Sequence, residues 1–297
     1  MQPNLLPEAA IPVRHFPQQQ SQVLPLRLFR LEDINQTDVD RHAFYTVMWL
    51  MAGVGTHYID FKGYPVQPNA IYCMAPRQVH LWDLEEPIVG QAVIFTEDAL
   101  WVHAGNAFFV EKLTLFNVID QQPSLYLSSA QAAKLQPLLD LLWHEQKTRE
   151  FGYAATSQSL LQAFLIYLQR YANVAHPERS GIAIDQLSDR FRQLLEHHFL
   201  TDQTVQAYAD LLGVTANHLS QRVKAATGLP AGALIRQRLL LEAKRLLVHT
   251  NQSVQQIAEF LSFPDPSYFG RFFKRESGQS PIAFRHAIRE KYHLTQH

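Results

Sequence analysis

The chain has 297 residues, 47% hydrophobic and 18% charged, with a formal net charge of -1. That length and composition suit two ordinary domains with real cores and exclude a disordered chain. The single cysteine, Cys73, excludes an internal disulfide framework and fits a reducing compartment.

No basic run precedes an apolar stretch in residues 1–15, and the longest apolar run, about Phe44 to Val54, is too short to span a bilayer. The expectation is a soluble, cytoplasmic protein with no membrane partner. Charge is unevenly divided: Thr201 to His297 holds 12 basic and 7 acidic residues, net +5, against net -6 for the first 200 residues. A basic C-terminal part behind an acidic body suits an anionic partner for the former.

Residues 1–22 are rich in Gln, Pro and Asn without a sustained period, so they predict a loose arm with room for one early strand. From Val23 to about Thr96 short strands recur at roughly ten-residue spacing. They are Leu24–Leu31, Phe44–Met51, Thr56–Phe61, Ala70–Met74 and Val89–Phe95. Gly53 to Gly55 is expected to end the second, Lys62-Gly63 to turn after the third, and Pro65, Pro68, Pro76 and Pro87 to mark further turns. This pattern predicts a β-sandwich or small barrel.

Asp98 to Ala104 reads as a short helical segment and Glu111 to Asn117 as a loop or turn. Ser128 or Ser129 then caps a helix through about Glu150, with Leu135, Leu138, Leu139 and Leu142 on one face. A second helix, Tyr153 to about Tyr171, carries Leu160, Leu161, Phe164, Leu165 and Leu168 at helical spacing. One apolar face can serve only one purpose, capping the barrel or pairing between subunits, and a homodimer is the expectation. Asn173 to Ile182, with Pro177 and Gly181, predicts a linker, and beyond it every periodic segment is helical. The expected organisation is an arm at 1–22, a sensing domain at 23–127, a helical dimerisation or capping segment at 128–172, a linker at 173–182 and a helical domain at 183–297.

The helical region repeats itself. Val205 to Val214 aligns with Val254 to Phe263 at an offset of 49, and Asn217 to Lys224 with Ser267 to Lys274 at an offset of 50. Each copy predicts a short helix, a tight turn and a second helix. Ala209 and Ala258 are small where the helices cross, and Leu212 and Leu261 face the core. Gly213 supplies a positive-φ turn, and Ser262 holds that place in copy two. Asp265 caps the last helix, and Pro266 opens it.

Each second helix presents small or polar residues at i, i+3, i+4, i+7 spacing. These are Asn217, Ser220, Gln221 and Lys224 in copy one and Ser267, Gly270, Arg271 and Lys274 in copy two. Asn, Gln and Arg can read base edges, and Lys suits a phosphate. Ala231 to about His249 predicts one helix between the copies, and at ~1.5 Å per residue it spans ~28 Å. With its end turns this places the second helices near one turn of DNA apart, ~34 Å, for successive major grooves. The partner so predicted is double-stranded promoter or operator DNA.

From Asp185 to Arg289 the sequence resembles the AraC/XylS family of bacterial transcription regulators, most specifically over Ile257 to Pro281 and Phe284-Arg285. Ile235 to Arg238 and Ala243 to Leu247 of the connecting helix also fit. Ser262 departs from the family's usual Gly, and Gln221 stands where a stronger contact residue is common. The resemblance implies that Asn217, Ser220, Gln221, Ser267 and Arg271 face bases. It also implies a cupin-like N-terminal sensor. The expected fold is therefore α+β and multidomain: a cupin-like barrel with following helices, then an all-α double helix-turn-helix domain.

His42–Tyr45, Trp49, Gly53–Gly55, His57–Asp60 and Pro76–His80 are similar to the sensor of a subgroup that includes activators of 4-hydroxybenzoate catabolism. This implies an activator with a small-molecule effector, a small aromatic acid being one candidate, and with RNA polymerase as a further partner. His42, Tyr45, Trp49, His57, His80 and Trp82 are the candidate ligand-binding residues, because aromatic walls with a few polar groups suit such a ligand. Arg77 is a further candidate, for an effector carboxylate. The alternative is a metal-dependent cupin enzyme fused to a helical module, using His42, His57 and His80 with Asp60 or Glu97. The close His-x-His pair of such enzymes is missing, since Asp40 stands two residues before His42. No cofactor, metal or enzymatic activity is expected.

Overall fold

The structure is a computed structural model that describes residues 13–17, 24–33, 40–100, 113–116, 123–175 and 186–291. The chain forms two compact units that divide between Gly181 and Ile182. Most of the N-terminal arm and the stretch 176–182 of the predicted linker lie outside the described residues, as do 101–112.

The N-terminal unit is one sheet. Its strands are β1 (Val13–Arg14), β2 (Leu26–Arg30), β3 (Asp40–His42), β4 (Tyr45–Ile59), β5 (Lys62–Val66), β6 (Ala70–Met74), β7 (Val79–Phe95) and β8 (Ser124–Tyr126). The path runs β1-β3-β7-β4-β6-β8, with β2 added to β7 and β5 to β4. The long antiparallel pair β4–β7 organises the sheet, from Tyr45 opposite Phe95 to Ile59 opposite His80.

Four expectations are corrected by the strand pairing, the simplest being Pro65, which lies within β5 opposite Thr56 rather than in a turn. Gly53 to Gly55 does not end a strand. It lies within β4, where the register shifts between Leu50 and Gly55. Gly55 has φ 144°, and a Cβ there would collide with the Asp83 carbonyl, so the glycine lets a bent strand continue. Pro87 lies inside β7 opposite this irregular stretch, where the ladder is already broken. The hairpin turn falls at Asp60-Phe61, both at positive φ, rather than at Lys62-Gly63, which belong to β5.

Alternation along the strands sorts side chains onto two faces. Met48, Leu50, Tyr72, Met74, Trp82 and Ala92 share one core cluster. Val47, Trp49, Ile71, Cys73, Val93 and Phe95 share another with the helices α1 (Ser129–Thr148) and α2 (Tyr153–Ala175). Ser128 caps α1 in a reciprocal capping box with Gln131. Leu135, Leu139, Leu142, Leu161, Phe164, Leu165 and Leu168 are fully buried in that second cluster. The leucine face expected to pair between subunits is therefore occupied by the sheet. At 97–100 the predicted helical segment is a 3-10 turn, Glu97–Leu100.

The C-terminal unit is helical: α3 (Gln186–His198), α4 (Val205–Leu212), α5 (Ala216–Thr227), α6 (Ala231–His249), α7 (Val254–Phe260), α8 (Pro266–Ser277) and α9 (Pro281–Lys291). The repeat is reproduced in its hydrogen bonds. Val214 N–H donates to the Ala209 carbonyl at 3.0 Å, and Phe263 N–H to the Ala258 carbonyl at 2.9 Å. Gly213 at φ 67° and Ser262 at φ 58° make the same left-handed turn. Tyr208, Ala209, Leu219 and Val223 fill the first half-core, and Ile257, Leu261, Phe269 and Phe273 the second.

Candidate functional site

α5 and α8 each begin with a side-chain cap. Thr215 accepts the His218 N–H at 3.2 Å, and Asp265 accepts the Tyr268 N–H at 2.7 Å with Pro266 as the first helical residue. Each helix buries one stripe and leaves the opposite one to solvent. On α5, Asn217, Gln221 and Lys224 are exposed and Ser220 is half-buried. On α8, Ser267, Arg271 and Lys274 are exposed and Gly270 is half-buried, while Phe269, Phe272 and Phe273 are buried. All eight predicted DNA-facing residues thus fall on the outward stripes of the two helices.

Two further exposed residues, His218 and Tyr268, occupy matching places at the same 50-residue offset. The Arg271 guanidinium lies over the Tyr268 ring, 5.7 Å from its centroid, within reach of a cation–π contact. The repeat itself contained this signal, because the offset that pairs Gln221 with Arg271 also pairs His218 with Tyr268.

The helix that joins the two copies is anchored by buried charge. Arg238 on α6 donates to Glu196 of α3 at 2.8 Å and to Glu242 at 3.0 Å, and its guanidinium lies 3.8 Å over the Phe199 ring. Arg245, also buried, lies 3.7 Å from Glu242. Arg285 and Arg289 of α9 donate to the carbonyls of Leu247 and Val248 at 2.7 and 3.0 Å and so cap the C-terminal turn of α6. Burial, with the neighbouring cation Arg289, lowers the pKa of Arg285; burial also lowers that of Arg289. Sequence periodicity missed this network, since a charged residue on a helix reads as solvated until its neighbours are known.

In the N-terminal unit the predicted ligand residues separate. His42, His57, His80 and Trp82 come together. His57 Nε2 is 3.2 Å from His80 Nδ1, His80 Nε2 is 3.4 Å from His42 Nε2, and His42 Nδ1 is 3.1 Å from Thr46 Oγ1. Three neutral imidazoles in such a series must all donate in the same direction along the chain. His57 stacks on Trp82 with ring centroids 3.6 Å apart. Tyr45 and Trp49 lie on the other face of β4, against the helices. The Tyr45 hydroxyl donates to Glu97 at 3.0 Å. Arg77 is exposed in a turn at φ 70°.

The donors named for the alternative of a metal centre are each engaged with other groups in the structure. Four of the six imidazole nitrogens face one another in two pairs, and His42 Nδ1 faces Thr46. Asp60 is taken by Gln78 at 2.8 Å and by the Val79 N–H, and Glu97 by Tyr45. Among the described residues no group of three or more His, Cys, Asp or Glu is placed to hold a metal ion. Separately, a cleft of about 540 Å³ opens between β2 and α1, lined by Arg30, Trp143 and Lys147 among others. The Trp143 indole donates to buried Gln91 at 2.9 Å, which fixes this aromatic wall.

Two helix-turn-helix units on one connecting helix, each with a polar outward stripe, define a sequence-specific DNA-binding regulator. Comparison with known proteins agrees. Residues 208–287 match the family model of a helix-turn-helix domain and residues 29–165 that of an AraC-like ligand-binding domain. The chain belongs to the AraC family of transcription regulators. The HTH-type transcriptional activator RhaR of Enterobacter sp. (strain 638) is 22% identical over 249 residues, which cover 84% of this chain and 87% of that protein. RhaR of Escherichia coli (strain K12) is 24% identical over 254 residues, with the same coverage of 84% and 87%. Among solved structures, the C-terminal domain of AraT, a response regulator from Geobacillus stearothermophilus, is 28% identical. It covers 36% of this chain and 88% of that chain, with a TM-score of 0.34. Among the described residues no helix is long and apolar enough to cross a membrane.

Proposed function

We propose that this protein is an effector-responsive transcription activator that acts in the cytoplasm as a homodimer, binding promoter DNA through α5 and α8 and engaging RNA polymerase. The observation that carries the reading is the repeated turn. Gly213 and Ser262 adopt one backbone conformation and present two capped helices with matching exposed stripes. The AraC-like ligand-binding match supports an effector, and the activators among its relatives support activation. The leucine faces of α1 and α2 are occupied, so the homodimer in this reading uses other surfaces. Ile166, Tyr167 and Val174 of α2 are exposed and apolar.

The effector of this reading is a small molecule, with small aromatic acids as the first class to try. It binds the N-terminal unit and shifts the protein between states that place the DNA-reading units differently. The His42–His80–His57 series and Trp82 supply polar and aromatic groups on one face of the sheet. Mapping the genomic sites occupied by the full-length protein, followed by binding to those duplexes across a salt series, tests the proposal. Affinity should fall steeply with salt, as counterion release demands. Absence of any preferred genomic site would sink it.

A further inference from the structure

Gly270 has no reason within the protein to be glycine. It is the fifth of twelve residues in α8, where glycine is among the least stabilising choices for a helix interior. Its φ is not among the positive ones. A Cβ built on it meets nothing within 4 Å. Gly90 differs, because a Cβ there would collide with the Trp49 carbonyl, and so does Gly278, which caps α8 at φ 81°. Glycine without a conformational or packing demand, on an exposed helix face, marks a place where something outside the chain comes close to the backbone.

The position singles out what comes close. One turn before Gly270 is Ser267, one turn after is Lys274, and beside it is Arg271, whose guanidinium lies over the Tyr268 ring. The missing side chain leaves a notch in the middle of this outward stripe. In copy one the matching residue, Ser220, carries a side chain, so the notch belongs to copy two alone. Of the groups that base pairs present in the major groove, the thymine 5-methyl is the one apolar projection. It fits a gap into which no other side chain projects within 4 Å of a Cβ built on Gly270, next to an arginine suited to guanine.

We infer that Gly270 is the point of closest approach between α8 and the major groove, and that its notch seats the 5-methyl group of one operator thymine beside the base read by Arg271. This rests on the DNA-binding role proposed above for α8.

The test uses the full-length protein and an operator duplex selected from random sequence, with each thymine replaced in turn by deoxyuracil, which lacks only the methyl. One position should lose about fourfold in affinity, the value of one buried methyl. Gly270→Ala should melt at a higher temperature than the parent, because the helix is improved, yet bind the operator at least tenfold more weakly. The thymine that responds in the parent should no longer respond in this variant. The inference is overturned if the parent binds the operator but Gly270→Ala binds it equally well. It is equally overturned if no thymine responds to loss of its methyl. If the parent selects no duplex at all, the DNA-binding role fails and this inference goes with it, a result distinct from the other two.

Discussion

Ser262 holds the same backbone turn as Gly213, with φ 58° against 67°, although only the glycine adopts that conformation without strain. Neither turn is optional, since each sets the angle between the paired helices of its copy. The serine therefore costs on the order of 1 kcal/mol. Ser262→Gly should raise the stability of the C-terminal unit by about 1 kcal/mol. The shift in the urea midpoint at unchanged slope measures it. A destabilised variant would show that the serine side chain makes a contact worth more than the strain.

Glu242 joins two buried arginines, Arg238 at 3.0 Å and Arg245 at 3.7 Å. Removing one partner of a buried pair costs far more than the pair contributes, and here both arginines would lose a carboxylate contact. Glu242→Ala should destabilise the unit by about 3 kcal/mol. Glu196, which also binds Arg238 but is partly exposed, should matter much less when replaced by alanine. Chemical denaturation of the two variants side by side separates these cases, and equal losses would contradict the burial argument.

Cys73 is buried against the helices, and burial pushes its thiol from the ordinary 9.0 up to about 12. The unfolded chain then releases this proton before the folded chain does. The stability that depends on the neutral thiol is complete below pH 9 and is lost as pH rises from about 9 to about 12. Burial also raises Tyr64, from 10.0 to about 12, so its contribution declines over a window that starts later. Cys73→Ala should flatten the stability curve between pH 9 and 10. In the native protein at neutral pH the thiol should resist alkylating reagents until the chain is unfolded.

Arg271 and Lys274 should fail in different ways. Arg271→Ala should cost about 1 to 3 kcal/mol on the specific site and relax discrimination at one base. Lys274→Ala should weaken specific and unrelated duplexes alike and reduce the salt slope by about 1. Titrations of both variants against operator and scrambled DNA at several salt concentrations distinguish them. A Lys274→Ala variant that lost discrimination would reverse the two assignments.

The C-terminal unit was largely legible in the chain. Its helices are amphipathic at a 3.6-residue period, its caps are Thr215, Ser253 and Asp265, and the repeat compares each residue with a second copy of itself. Local chemistry determined those helices, and their outward stripes follow from which residues are apolar. The N-terminal unit was legible only as strands. Where β4 and β7 continue through Gly55 and Pro87 is decided by a partner strand dozens of residues away, which supplies or relieves the ladder at those points. The same holds for the candidate ligand residues. Nothing in their spacing says that His42, His57 and His80 meet on one face while Tyr45 and Trp49 point to the other, because bulges within β4 break the simple alternation.

Sequence by itself therefore determined the kind of protein, through a doubled motif whose period and caps are local. Tertiary structure alone decided which buried charges hold α6, which face of the sheet the leucines of α1 and α2 cover, and that Gly270 stands in open space. Each of these depends on what lies across the fold, and neighbours along the chain carry no record of it.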